Sequence, residues 1–222
     1  MLVKTEGIVL RFVKYGETSI IATILTRESG RSTYIVNGVR SARSRGKIAL
    51  YQPLSLLDMV VYQKEGRDIN RIAEIKSLAG LNSLRTNVYK SSIGLFLLEV
   101  LNKCIHEESA NVPLFEFIKE SIKLLDAMDT DFESFHLVFL LKLCQYLGFA
   151  IQSTHAFYSD SAIFTRPQTQ EHRAALEKLI NDGFTSNVKF SSEFRMELLG
   201  HILSYYSSHI DLPKIKSLEV LH

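Results

Sequence analysis

The densest concentration of reactive side chains in this 222-residue sequence is Gly38-Val39-Arg40-Ser41-Ala42-Arg43-Ser44-Arg45-Gly46-Lys47, which carries four cations and no carboxylate. Guanidinium forks and an ammonium in such a run suit successive phosphates, with Ser41 and Ser44 as neutral donors. A loop that needed only solubility would not leave four like charges uncompensated, so the run reads as a phosphate-binding loop. The Gly46-Lys47 pair invites comparison with a Walker A loop, but seven residues rather than four separate Gly38 from Gly46, and Ile48 stands where Ser or Thr would hold magnesium. Tyr15, Tyr34 and Tyr51 lie close to the run in sequence, and aromatic rings beside a cationic groove can stack bases; strand tyrosines also serve packing alone. Arg27 and Arg31 flank a turn and add two further cations. The candidate polyanion-binding residues are therefore Arg27, Arg31, Tyr34, Arg40, Arg43, Arg45 and Lys47.

Other constellations are weaker. Asp126, Asp129, Asp131 and Glu133 could suggest calcium, but an EF-hand loop from Asp129 needs Gly and Glu where Ser134 and Leu140 stand; an acidic first turn of a helix is the simpler reading. His106-Glu107-Glu108 lacks the second His of a zinc-protease helix. His136 falls on an apolar stripe and is expected to be a hydrogen-bonded core histidine. Cys104 and Cys144 sit within apolar helical patterns, without a CxxC or a His at ligand spacing, and read as core residues. No grouping of nucleophile, base and orienter is recognisable, so no enzymatic activity, cofactor or metal is expected.

The elements that carry these residues change period near residue 80. Before it, β-branched runs at Gly7 to Val13, Thr18 to Leu25, Arg31 to Val36, Leu54 to Tyr62 and Ile69 to Ile75 are separated by turns. Arg27-Glu28-Ser29-Gly30 and Lys64-Glu65-Gly66-Arg67 read as tight hairpins with Gly where positive φ is needed. Five short strands over about 75 residues predict a small Greek-key barrel of the OB type, and the long connection from Asn37 to Pro53 has room for a helix that plugs it. After residue 80 the spacing is helical: stripes run through Ile93 to Cys104, Leu114 to Leu125 and Phe132 to Leu147, the last apolar nearly all round, and two more through Gln168 to Ile180 and Ser192 to Ser207. Asn111 and Pro113 mark the start of the second of these helices, and Ile151 to Pro167 is irregular. The expectation is an α+β chain with strands first: a five-stranded OB-type barrel over residues 1–80 and an all-helical domain over 81–222.

The net charge of +2 supports this division. Residues 1–80 hold 13 Lys and Arg against 7 Asp and Glu, a net of +6, whereas residues 81–222 hold 13 against 17, a net of −4. A basic barrel joined to an acidic helical region suggests a polyanion site on the first and a different role for the second. With 46% hydrophobic and 23% charged residues, the composition excludes a disordered chain. The charged N-terminal stretch has no signal-peptide pattern, and the most apolar window, Leu137 to Ile151, is shorter than the ~20 residues that span a bilayer. A cytoplasmic protein is expected.

Thr5-Glu6-Gly7-Ile8-Val9-Leu10, Tyr15-Gly16-Glu17, Leu25 to Gly30, the Gly38 to Lys47 run and Gln52-Pro53-Leu54, in this order and spacing, resemble the N-terminal domain of the bacterial recombination mediator RecO. Leu143 to Phe149 resembles that family's central-helix ending, and Ala156 to Pro167 is loosely similar to the family's segment just beyond that helix. The resemblance implies an OB fold and a helical domain. It also implies binding of single- and double-stranded DNA, strand annealing, and loading of RecA onto DNA coated by single-strand-binding protein, together with RecR. Many family members carry a four-cysteine zinc site after the central helix. Ile151 to Phe164 contains no Cys here, so that segment is expected to be held by packing of Phe157, Tyr158 and Phe164. The family's contact with the tail of single-strand-binding protein implies a receiving site in the helical domain that pairs an apolar pocket with Lys or Arg. Two other readings of the residues are an RNA-binding OB protein and an adaptor whose helical half binds a protein.

Overall fold

The computed structural model describes residues 1–44, 46–63, 68–106, 109–160 and 169–221. Five strands, β1 (Leu2–Tyr15), β2 (Ser19–Thr26), β3 (Gly30–Val36), β4 (Leu56–Tyr62) and β5 (Ile69–Ser77), close into a barrel in the order β1-β2-β3-β5-β4. The β3–β5 pair is parallel and the other pairs are antiparallel. This is the OB-type barrel that the strand count predicts. The core is built from inward positions, among them Val9, Ile20, Ala22, Ile24, Leu57, Met59 and Val61. Gly7 is required by close approach, since a Cβ there would lie 2.6 Å from Met59 Cε and 2.7 Å from Ile24 Cγ2. Gly30, at φ +62°, closes the β2–β3 turn, where Thr26 Oγ1 donates to the Gly30 carbonyl and accepts from the Ser29 amide. The second expected hairpin, Lys64 to Arg67, lies outside the described residues.

The long β3–β4 connection contains two 3-10 turns, Ala42–Ser44 and Lys47–Tyr51, in place of an α-helix, and Val39 and Tyr51 from this connection enter the barrel core. Burial raises the Tyr51 phenol to about 12.

Seven α-helices come next among the described residues: α1 (Ser83–Thr86), α2 (Val88–Cys104), α3 (Val112–Ala127), α4 (Phe135–Tyr146), α5 (Thr154–Asp160), α6 (Gln170–Asp182) and α7 (Ser192–His209). The chain forms two compact units, Met1–Thr86 with Ile105–Asp126, and Asn87–Cys104 with Ala127–His222. The change from strands to helices near residue 80 is therefore not where the units divide, because α1 and α3 belong with the barrel. The polar contacts show why. Lys119 of α3 pairs with Glu6 of β1 at 2.8 Å, Arg27 with Glu116 at 2.8 Å, Arg85 Nη2 donates to Ser55 Oγ at 2.7 Å, and Asp126 Oδ1 accepts from the Leu84 amide at 2.6 Å. Asp126 is thus in the last turn of α3, and the acidic stretch it opens precedes α4 instead of forming that helix's first turn. Asn111 Oδ1 accepts from the Leu114 amide at the start of α3.

In the second unit α4 is buried on nearly every side, as its continuous apolar pattern predicts. Tyr206 of α7, fully buried, donates to the Leu140 carbonyl at 2.7 Å, and Tyr205 donates to the Phe149 carbonyl at 3.2 Å. Cys144 also donates to the Leu140 carbonyl, and burial pushes both cysteine thiols up to about 12, which removes thiolate reactivity at neutral pH. The segment expected to be irregular contains α5, whose Phe157 and Tyr158 are buried; Phe157 stacks on Tyr205 with centroids 4.8 Å apart. Residues 161–168, with Phe164, lie outside the described residues. His136 is buried edge-on to Phe96, but neither ring nitrogen makes a well-formed hydrogen bond, so it is a core histidine without the expected partner. Burial, helped by the charge of Arg195 and opposed by the Glu133 backbone, holds its pKa down at about 3.

Candidate nucleic-acid interface

The pairing register of the barrel fixes which side chains share its outer face. Successive strand residues alternate sides, and a register shift between Val9 and Arg11 resets β1 so that Arg11, Val13 and Tyr15 point outward. Three cross-strand rows result: Arg11–Thr23–Thr33–Ile69, then Val13–Ile21–Ile35–Arg71, then Tyr15–Ser19, where Ser19 Oγ donates to Asn37 Oδ1. The intervening row, Phe12–Ala22–Tyr34–Asn70, faces the core. On the outer face Arg11 and Arg71 are exposed, as are Val13 at 53%, Tyr15 at 52% and Ile69 at 43%. Exposed apolar side chains between two arginines form a surface on which bases can pack while phosphates meet cations. The same face of OB barrels, with the β1–β2 loop, is their usual oligonucleotide surface.

The basic connection is tied to the edge of this face. The Arg40 amide donates to the Thr18 carbonyl at 2.8 Å, and Arg40 Nη1 lies 3.3 Å from the carbonyls of both Gly16 and Ser19. Arg40 is therefore an anchor on the β1–β2 turn as well as an exposed charge. Lys47 is exposed at the start of the second 3-10 turn, Arg43 lies in the first, and Arg45 is outside the described residues.

Three of the sequence-based candidates are engaged within the fold. Tyr34 is 2% exposed and belongs to the barrel core, where burial raises its pKa, so no ring face is open to a base. Arg27 is held by Glu116 at 2.8 Å and by Glu28 at 3.1 Å, and these carboxylates raise its pKa. Arg31 is half-buried and donates to the Ile105 carbonyl at 2.5 Å; burial, then the nearby charge of Arg11, lowers its pKa. Arg27 binds the barrel to α3, and Arg31 binds it to the segment that leads into α3. Arg11 and Arg71 were missed, although Arg11-Phe12-Val13-Lys14-Tyr15 already alternates in a way that separates Arg11 and Tyr15 from Phe12.

In the second unit, Tyr89, Ile93, Phe132, His136, Arg195 and Val220 border a cleft of about 160 Å³. Glu133 and Ser92 also line it, so one charge of each sign, a hydroxyl and the His136 ring sit among its apolar side chains. Among the described residues no group of three or more His, Cys, Asp or Glu side chains is placed to hold a metal, and no helix is long and apolar enough to cross a membrane.

The closed β1-β2-β3-β5-β4 barrel with an appended helical region defines an OB-fold protein of the two-part kind. Comparison with known proteins is more specific. Residues 1–81 match the family described as Recombination protein O N terminal, and residues 85–166 match Recombination protein O C terminal. The whole chain is 35% identical to the DNA repair protein RecO of Bacteroides fragilis, covering 98% of it, and 36% identical to that of Phocaeicola vulgatus at the same coverage. The corresponding protein of Chlorobium limicola is 30% identical over 82% of this chain and 69% of its own length. The chain belongs to the RecO family of DNA repair proteins.

Proposed function

We propose that this chain is a recombination mediator without enzymatic activity, which binds single- and double-stranded DNA, anneals complementary strands and, with RecR, helps load RecA onto DNA coated by single-strand-binding protein. The observation that carries the reading is the outer barrel face, with Arg11 and Arg71 among exposed apolar side chains and Arg40, from a sequence run that holds four cations and no carboxylate, anchored at its edge. Annealing is opposed by phosphate repulsion and requires no covalent bond to change. Cations that neutralise phosphates on both strands lower that repulsion, while Val13, Tyr15 and Ile69 hold bases apart from their own stack. The protein works in the cytoplasm, on the nucleoid.

The cleft beside Arg195 supports a contact with the acidic, apolar-ended tail of single-strand-binding protein. Phe132, Ile93 and Tyr89 suit the apolar end, and Arg195 suits a carboxylate that approaches away from Glu133. An annealing assay on bare complementary strands tests the main reading. The protein accelerates duplex formation, and Arg11→Ala with Arg71→Ala slows it at least tenfold; equal rates with and without protein refute it. Preference for RNA over a DNA strand of equal length would instead favour an RNA-binding role.

A further inference from the structure

The cleft of the second unit shares a wall with the segment Lys214–Leu221. Two residues one turn apart on α2 hold this segment by its backbone. Glu99 accepts from the Lys216 amide at 3.0 Å and the Ser217 amide at 2.7 Å; Lys103, paired with Glu99 at 2.6 Å, donates to the Lys214 carbonyl. Ile215, 5% exposed, is buried beside the bonded groups. These contacts fix the path of the chain irrespective of the side chains beyond them.

Past this latch the hold is looser. The 3-10 turn Ser217–Val220 runs beside α2, and its Val220 and the adjoining Leu221 line the cleft with Tyr89, Phe132 and Arg195. Val220 remains 45% exposed and Glu219 is exposed, so this stretch is firmly anchored at one end and only half covered at the other. Its sequence, Leu218-Glu219-Val220-Leu221, is itself apolar with one acid, the chemistry expected of the peptide for which the cleft is suited. At about 160 Å³ the cleft has room for one large side chain, well under the roughly 300 Å³ at which binding pockets usually begin. A peptide that inserts more than its last side chain must move the wall.

We propose that Ser217–Leu221 is a displaceable gate over the cleft, which competes with an acidic, apolar-ended peptide and is held closed by Glu99 and Lys103. The inference rests on the reading of the cleft as the site for such a peptide. Displacement uncovers Phe132, 8% exposed, beside Tyr89, which is already 69% exposed at the rim, while Ile215 keeps the base of the strap in place, so the gate swings without unfolding the unit.

The test uses the full chain and a fluorescent nine-residue acidic peptide ending in Phe, with anisotropy as one readout and hydrogen exchange of the Lys216 and Ser217 amides as the other. Glu99→Gln, which weakens the latch, is expected to tighten peptide binding about tenfold, and peptide binding to the unaltered protein is expected to speed exchange at those two amides. Arg195→Glu reports the cleft separately. Binding lost in Arg195→Glu, with neither tightening in Glu99→Gln nor faster exchange, leaves the cleft reading intact and overturns the gate. Binding unaffected by Arg195→Glu overturns the cleft reading, and unchanged exchange in that experiment overturns the gate with it. No binding to either the unaltered protein or Glu99→Gln overturns both.

Discussion

Salt dependence separates the cations that can meet DNA from those already committed within the fold. On a single strand each neutralised phosphate contributes about 0.7 to the slope of log affinity against log salt. Six cations are candidates: Arg11 and Arg71 on the outer barrel face, Arg40 tied to its edge, and Arg43, Arg45 and Lys47 from the same sequence run. If all six engage, the slope is about −4, and affinity falls about 300-fold between 50 and 200 mM salt. Replacing Arg40, Arg43, Arg45 and Lys47 by Ala leaves two contacts, a slope of about −1.4 and a loss of about 7-fold over the same range. Arg27→Ala serves as the control, because its guanidinium lies on Glu116 and Glu28; stability drops, but the slope stays near −4. Fluorescence anisotropy with a labelled single strand at four salt concentrations gives each slope. A full slope in the fourfold variant, or a slope in Arg27→Ala flattened as much as by a loss from the connection, would overturn this division of the cations.

Three further outcomes concern the fold. Gly7→Ala forces a methyl against Met59 and Ile24 in the barrel core and should lower stability by about 1–3 kcal/mol, read from urea unfolding of the barrel. Tyr206→Phe removes the buried hydroxyl donor to the Leu140 carbonyl and should cost about 1–2 kcal/mol in the second unit, with no change in DNA affinity. Acid should destabilise that unit in two stages. His136, held at about 3 against an ordinary 6.5, leaves the unfolded chain to take up a proton first, so stability falls as pH drops below about 6.5. Glu99 is held at about 2 against 4.5: burial alone would raise it, but the bonds from Lys103, Lys216 and Ser217 outweigh that effect. Its contribution is complete above about 4.5 and is lost as pH falls toward 2, so Glu99→Gln flattens the lower stage and His136→Leu the upper one in denaturant titrations across pH.

What was legible in the sequence was local. Alternation and turn glycines reveal five strands, and the apolar period reveals the central helix, because both patterns are written within a few residues of each other. The strand-to-helix change near residue 80 is equally visible. It does not reveal that α3 belongs with the barrel, since the pairs responsible, Glu6 with Lys119 and Arg27 with Glu116, are 113 and 89 residues apart. Sequence distance likewise hides the partners of Arg27 and Arg31, 89 and 74 residues away. Tyr34 looked available because an aromatic in a strand can face either way, and only the register with Ala22 and Asn70 turns it inward. Arg11 and Arg71 became a pair only through four-strand rows. The strap beside α2 was invisible because Glu99 grips backbone amides, which leave no pattern in side-chain identity.

Annealing of complementary strands coated with single-strand-binding protein, measured with and without RecR, tests the proposed mediator role at its decisive step. The unaltered chain is expected to accelerate duplex formation on coated strands, and the variant lacking Arg40, Arg43, Arg45 and Lys47 to do so at least tenfold more slowly. No acceleration by the unaltered chain, or full acceleration by that variant, would contradict that role.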